Sequence, residues 1–432
     1  MKLWKHHEAE SAAQKLNRLA KDEAWIQRYG GTISAEWMIP KVMEIAEKDP
    51  EVFDAADLYM EAADWITAKL TGEFIRNSCS AGYKGMWHKA DGYVKPEFLK
   101  QLDPKLGDIY QTKLRGEVRS LGEKAGNLTK EMAGALGLKE GTAVAVGIID
   151  AHAALPGVGV SEPGTMVMVM GTSTCHLLLS EKEALVPGIS GVVEDGILPG
   201  YYAYEAGQAA VGDLFAWFVD HQIPAYIKEE AEEKGISVHE YLSDSAAELS
   251  PGESGLIALD WHNGSRTPWV NMSLSGAVAG QKLSTRPAEI YRSYLEATAF
   301  GTRVIVELFE EHGIPIEKLV ATGGIPKKNP LLMQIYADVL QREVVVNLNS
   351  QAPALGAAIL GAIAAGKENR GYESVEAAIQ KMSSDEMIIY YPNKENRAVY
   401  DSLFSYYQRL SRFFAEETVV MNELSALKNS YA

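Results

Sequence analysis

Two short apolar runs, each ending on residues that carry chemistry, constrain this chain more than anything else in it. The first, residues 143–149, ends on a carboxylic acid, Asp150; the second, residues 166–170, ends in Gly171-Thr172-Ser173. Both read as β-strands separated by a turn rich in proline and glycine. An acid where a strand gives way to a loop or helix occupies the place that catalytic groups favour in α/β folds. A glycine followed by two hydroxyl residues presents bare backbone and side-chain donors to a phosphate. Read as the ends of neighbouring strands, the two imply a carboxylate that activates a hydroxyl and a loop that holds the phosphoryl group which that hydroxyl attacks. Each also has an ordinary explanation, the acid as a helix N-cap and Gly-Thr-Ser as a turn.

A chain of 432 residues exceeds the size at which one core stops growing, so two domains of roughly 150–250 residues are expected. With 47% hydrophobic and 23% charged residues it has the composition of an ordinary globular protein. The 58 acids outnumber the 41 lysines and arginines, and the net charge of −17 argues against nucleic acid or an anionic membrane as partner. A nucleotide would need local positive charge. Cys79 and Cys175 lack zinc or redox spacing, and no segment has the apolar length of a membrane span or the h-region of a leader. Those features together predict a cytoplasmic protein.

Along the chain, three helical pieces are expected at residues 8–28, 34–48 and 51–70. His6 and His7 are adjacent, point in different directions on a helix, and have no ligand partner at metal spacing, so a surface or ligand-facing role is expected of them. Residues 71–87 have no clean period and read as an irregular, pocket-lining segment, in which Gly82 and Gly85 let backbone come close to a polar ligand and Lys84 is either a ligand contact or a solvated loop lysine. Glu205 and Gln208 lie three apart at the expected start of a helix over 209–220, which either points both into one cleft as hydroxyl-binding groups or makes Glu205 an ordinary capping acid at the helix start. A charged helical pair is expected over 225–249. A long helix over 286–312, capped by Ser284 or Thr285, carries a core stripe from Ile290 to Leu308. Then strand 318–322, the turn Gly323-Gly324, helix 330–341 and strand 343–347 form a compact unit whose turn suits a nucleotide. Residues 354–366 form a small-residue helix packed on a sheet, and 396–428 a last amphipathic helix.

These residues together resemble the FGGY carbohydrate kinases, of the actin, hexokinase and Hsp70 fold group, over essentially the whole chain. Gly147-Ile148-Ile149-Asp150-Ala151-His152 resembles the family's catalytic-base motif, and Gly171-Thr172-Ser173 its second phosphate loop. Ala321-Thr322-Gly323-Gly324-Ile325-Pro326-Lys327-Lys328-Asn329-Pro330, through Ala337-Asp338, resembles its nucleotide-binding segment. Gly276 to Gly280, then Glu289-Ile290 and Ser293 to Glu296, resemble a second signature, with Gln281 and Tyr294 departing from it. The start, Lys2 to His7, and the segment Ser80 to Trp87 look most like the ribulokinase branch. The family's first phosphate loop, Asp-x-Gly-Thr, occurs nowhere in the chain. The sequence therefore reads as lacking the N-terminal portion of its first domain, and poor kinase activity and self-association are expected of it.

The resemblance implies an α/β, ribonuclease H-like two-domain fold, with residues 1–155 belonging to the sugar-binding domain and 156–432 to the nucleotide-binding domain. It implies ATP-dependent phosphorylation of a ketopentose primary hydroxyl, L-ribulose first among them, with ATP and Mg2+ as cofactors and no protein metal ligand assigned. Asp150 would take the hydroxyl proton; Gly171, Thr172 and Ser173 would hold the phosphoryl group; Gly323, Gly324 and Asn329 would lie against the nucleotide. Lys84, Asp150, Glu205 and Gln208 would bind sugar. The partners are small molecules, neither nucleic acid nor membrane, and a homo-oligomer is open. The rivals are a binding module without turnover, and a kinase for xylulose or glycerol. Two other readings fail on spacing: Gly157 to Gly164 misplaces the last glycine of a dinucleotide fingerprint, and Gly171 to Cys175 lacks the final glycine of a nucleophile elbow.

Overall fold

A computed structural model describes every residue except Met1, Trp4, Lys5, His7, Ser384, Asp385 and Ala432. His7 of the histidine pair, and Trp4 and Lys5 of the ribulokinase-like start, thus lie outside the described residues. The chain forms two compact units, neither continuous in sequence. The first comprises Met1–Gly164, Leu177–Glu205 and Gln351–Ser384; the second comprises Thr165–His176, Ala206–Ser350 and Asp385–Ala432.

In the first unit the N-terminal pieces fold as α-helices Glu10–Ala20, Met38–Lys48, Pro50–Ala55 and Ala62–Thr71, with a 3-10 turn at Ala24–Tyr29. Their apolar faces meet in a core that includes Leu16, Ile26, Ile39, Val42, Phe53 and Leu99. The expected helix over 51–70 is broken at 56–61 because its backbone is used sideways. Tyr59 N–H donates to Lys113 O at 2.8 Å, and Tyr59 O accepts from Arg76 Nη2 at 2.8 Å. The segment expected to be irregular is ordered: strand Ile75–Asn77 leads into helix Ser78–Gly85, capped by Asn77, whose Oδ1 accepts from Ser80 N–H at 2.6 Å. Gly82 is needed for packing, since a Cβ there would run into the Val193 side chain, while its carbonyl takes the Tyr29 hydroxyl at 2.6 Å.

Another expectation is corrected here. The apolar run before Asp150 contributes only the strand Ala143–Ala145, which pairs antiparallel with Lys124–Asn127 in a two-stranded sheet of its own. It is not a neighbour of the strand that ends at Met170. Helix Asp150–Gly157 follows, and the small-residue helix Ala352–Ala365 packs on it rather than only on a sheet. Gly157 and Gly356 make that possible: a Cβ on the first would strike Ala352 O, and one on the second Ala153 O. The two helices touch backbone to backbone, which holds the helix carrying Asp150 rigidly.

The second unit is built on a sheet. Strand Lys318–Gly323 pairs in parallel with Thr165–Met170 on one side and Val344–Asn347 on the other, and Met387–Tyr390 adds an antiparallel strand to the latter. Met166, Val167, Met168 and Met170 are completely buried, as a strand covered on both faces requires. Because Gly323 pairs with Met170 in a parallel register, both glycine turns leave the sheet at the same end. Helix Pro287–Glu311 is buried all round from Tyr291 to Thr302, more than one stripe, and its cap is Arg286 rather than Ser284 or Thr285. The last helix is interrupted into Arg397–Arg412, a π-turn at Phe413–Glu417 and Val420–Asn429. Among the described residues no helix is long and apolar enough to cross a membrane.

Candidate active site

Within the second unit, four glycines shape one end of the sheet. The turn after Met170 is closed by Gly171 N–H donating to Ser173 O at 2.9 Å, with Gly171 and Thr172 exposed. Its carbonyls are then held by the start of helix Gly212–His221: Val211 and Asp213 donate to Thr172 O at 2.9 and 3.1 Å, and Gly212 donates to Gly171 O at 3.0 Å. Only glycine fits at 212, since a Cβ would sit 2.6 Å from Gly171 O and 2.8 Å from Ile325 Cδ1. Gly323 is equally constrained, with φ at +110° and the Met170 carbonyl where a Cβ would go. Gly324, by contrast, is exposed and faces open space; at Gly171 the nearest atom to a Cβ would be 3.9 Å away. These close backbone contacts leave Gly171, Thr172 and Gly324 exposed around an open cradle, with exposed Lys328 in the next helical turn to supply positive charge. These residues fit the phosphates of a nucleotide.

Asn329 is 8% exposed and its side chain is committed on both sides. Its Oδ1 caps helix Pro330–Leu340 by accepting from Leu332 N–H at 2.9 Å, and its Nδ2 donates to Ser243 Oγ at 3.1 Å. It holds the end of the turn in place.

In the first unit Asp150 is the exposed first residue of its helix and accepts from Ala151 N–H at 2.8 Å. Lys84 lies in the last turn of helix Ser78–Gly85, partly buried, 3.4 Å from Glu61 Oε2. Lys41 belongs to the same electrostatic neighbourhood, its ammonium pushed down first by burial and then by the charge of Lys84.

The paired reading of Glu205 and Gln208 is overturned. Both belong to strand Tyr202–Gln208, and the helix begins only at Gly212, so a separation of three puts them on opposite faces. Glu205 Oε2 lies 3.0 Å from His152 Nε2, and His152 Nδ1 lies 2.9 Å from Cys79 Sγ. Burial alone would push the His152 imidazole down, but Cys79 and Glu205 more than offset it and hold it up at about 10. Gln208 turns into the second unit, where its Nε2 donates to Asp260 Oδ2 at 2.8 Å and Thr298 O at 2.9 Å. Its Oε1 accepts from Thr302 Oγ1 at 2.9 Å. That amide is spent internally, so no sugar contact is carried forward for it.

Sequence reasoning missed Gly212, Lys41, Cys79 and the working partner of His152. Gly212 had a signal, a small residue at a helix start; the others come together only through folding. It also missed Glu44, which lies 38 positions from His6 and meets it at 3.0 Å. His6, Glu8 and Glu44 gather ligand atoms within 4.8 Å, but Lys2 and Lys48 already pair with Glu44, which makes this an ion-pair cluster.

The parallel sheet, its paired glycine turns and the acid-headed helix define a sugar kinase of the actin-like fold group, and the chain belongs to the FGGY family of carbohydrate kinases. The family's N-terminal domain matches residues 1–157 and its C-terminal domain residues 166–365. Xylulose kinase from Rhodospirillum rubrum superposes with a TM-score of 0.78 at 25% identity, over 93% of this chain and 77% of that one. Gluconate kinase from Lactobacillus acidophilus shares the fold at a TM-score of 0.79 and 20% identity, over 100% of this chain and 80% of that one. Among individual proteins the chain is 54% identical to the ribulokinase of Anoxybacillus flavithermus, over 100% of its own length and 77% of that relative's. It is 44% identical to the ribulokinase of Mycolicibacterium smegmatis, over 99% of its own length and 76% of that relative's. Kinases of this family use ATP with a divalent metal.

Proposed function

We propose that this kinase transfers the γ-phosphoryl group of ATP to the primary hydroxyl of a ketopentose, L-ribulose being the preferred sugar, in the cytoplasm. The observation that carries the sugar assignment is 54% identity, over the whole chain, to a protein named ribulokinase. Asp150, exposed on a helix locked by Gly157 and Gly356, accepts the hydroxyl proton as the new O–P bond forms. The exposed turn at Gly171 and the hydroxyls of Thr172 and Ser173 hold the phosphoryl group, and Gly323 and Gly324 seat the rest of the nucleotide. Asn329 acts at one remove, by fixing the turn. Magnesium would be carried on the phosphate oxygens, the hard ligands it favours, and would neutralise charge there. Lys84 and Glu205 bind sugar hydroxyls; a buried polar pair of this kind rejects a sugar that leaves one member unpaired.

The test is Asp150→Asn, followed by ribulose-dependent ADP formation and, separately, by sugar and ADP binding. The amide keeps the shape and cannot take the proton, so turnover should fall by about 10²–10⁴-fold while both ligands still bind. Retention of more than about a third of the parent rate would remove Asp150 from the role of base. Faster turnover of xylulose or glycerol than of ribulose by the parent would overturn the sugar assignment.

A further inference from the structure

Three buried side chains in the first unit form a continuous polar chain that the phosphoryl-transfer chemistry does not itself require. Cys79 is 0% exposed, His152 1% and Glu205 9%. Cys79 Sγ to His152 Nδ1 is 2.9 Å, and His152 Nε2 to Glu205 Oε2 is 3.0 Å. The Tyr83 ring lies against the imidazole with centroids 4.6 Å apart, and the Tyr83 hydroxyl donates to Ala203 O at 2.6 Å, two residues before Glu205. A thiol, an imidazole and a carboxylate in this order also occur in thiol hydrolases, but a nucleophile must be reached by its substrate, and this sulfur is sealed inside the unit.

The placement of the three residues points elsewhere. Cys79 sits on the helix that carries Lys84, His152 on the helix that carries Asp150, and Glu205 on strand Tyr202–Gln208. The polar chain therefore ties together the three elements that carry the proposed sugar-binding side chains. We infer that His152 is a positioning residue: its Nε2–H pins one oxygen of Glu205, with Cys79 fixing the ring, so that the carboxylate meets a sugar hydroxyl in one orientation and in register with Lys84 and Asp150. This rests on the reading that Glu205 binds the sugar. An ionised carboxylate only accepts, so Nε2 must carry the proton. Without that donor the carboxylate loses the hydrogen bond that fixes this oxygen and can rotate, and the sugar site loses its geometry while the nucleotide site does not.

The experiment uses the full chain, with L-ribulose and ADP binding measured by calorimetry beside steady-state kinetics. His152→Leu should raise KM and Kd for ribulose by about 10–100-fold, leave the Kd of ADP within about twofold, and narrow the preference for ribulose over xylulose. His152→Gln, whose amide reaches Glu205, should recover most of that loss, and His152→Asn, whose amide stops short, should not. Cys79→Ser should behave like the parent and Cys79→Ala should fall between. Should the leucine variant fail to fold, the Gln and Asn variants decide, and equal sugar affinity in those two overturns the inference. Glu205→Gln separates the two levels. If it leaves ribulose affinity unchanged, the reading of Glu205 as a sugar ligand falls and the inference falls with it. If it weakens ribulose while His152→Leu does not, the inference alone falls.

Discussion

Replacing Gly212 with alanine should damage nucleotide binding more than it damages the fold. The added Cβ would start 2.6 Å from Gly171 O and 2.8 Å from Ile325 Cδ1, on the two glycine turns at once. Ordinary contact requires a retreat of roughly 0.7 Å or more. The isoleucine tip can rotate; the Gly171 carbonyl is backbone and cannot. The helix start must therefore move, which stretches Gly212 N–H to Gly171 O, now 3.0 Å, and Asp213 N–H to Thr172 O, now 3.1 Å. Two such bonds amount to about 1–3 kcal/mol, equivalent to roughly 5–150-fold in ADP affinity if the loss falls on the cradle. A displacement of this size at a phosphate loop costs up to about 10²-fold in turnover as well. Calorimetry of ADP and of ribulose on the same variant is the assay, with Gly324→Ala for comparison. At 324 a methyl group meets nothing within 4 Å, so it costs no packing and intrudes only on a bound nucleotide. If Gly212→Ala binds ADP within about twofold of the parent, or weakens ribulose equally, the reasoning fails.

Arg292 and Glu296 form a buried ion pair at 2.9 Å, and Arg292 also donates to Ala246 O and Leu249 O. Arg292→Met strands a carboxylate and two carbonyls and should cost about 3–5 kcal/mol by urea unfolding, whereas a loss below about 1 kcal/mol would show that water or a neighbour replaces the guanidinium. His262 is pushed down to about 4 by burial, in a site shared with Trp217 and Tyr294. A base whose folded value is depressed stays neutral in the fold while the unfolded chain takes a proton, so its contribution to stability is complete above about pH 6.5 and is lost as the pH falls toward 4. Thermal unfolding of the parent should decline across that window more steeply than that of His262→Gln, and parallel curves would refute the assignment.

Elements whose backbone bonds are local were legible in the sequence. Helix Pro96–Leu102 follows from its proline start with no distant partner needed, and strand Thr165–Met170, although its backbone pairs with the distant strand Lys318–Gly323, from an uninterrupted apolar run. The glycine turn at 323–324 was legible for the same reason. Residues 56–61 were not, because Lys113 and Arg76, both distant in sequence, claim their backbone groups. Helix Ser78–Gly85 was missed because its period is masked: all but Lys84 of its residues are buried, so no polar face betrays the turn. The candidate site divides likewise. Asp150 and the glycines stand in short motifs, but the partners that orient His152 come from positions 73 residues before and 53 after it.

The clearest failure of pattern reasoning, at Glu205 and Gln208, shows what the strand between them does. A helix would have placed both on one face, and the small residues Ala203, Ala206, Gly207 and Ala209 gave no period with which to choose. As a strand, 202–208 sends its polar residues to opposite sides, and each largely buried side chain finds its own set of partners there. On one side His152 and Cys79 serve Glu205. On the other, Gln208 is met by Asp260, which also accepts from the Tyr407 hydroxyl at 2.8 Å, and by Thr302. Thr302 gives its one proton to Gln208, so its oxygen accepts from His176 Nε2 at 3.1 Å, and burial pushes that histidine down to about 3. Gly301 completes the set, because a Cβ there would fall 2.5 Å from Gln208 Nε2 and 2.9 Å from Asp260 Oδ2. The glycine in the middle of the long helix, first read as part of a packing stripe, is thus room for a hydrogen-bond network, and the two polar residues that resemble a pair belong to separate networks.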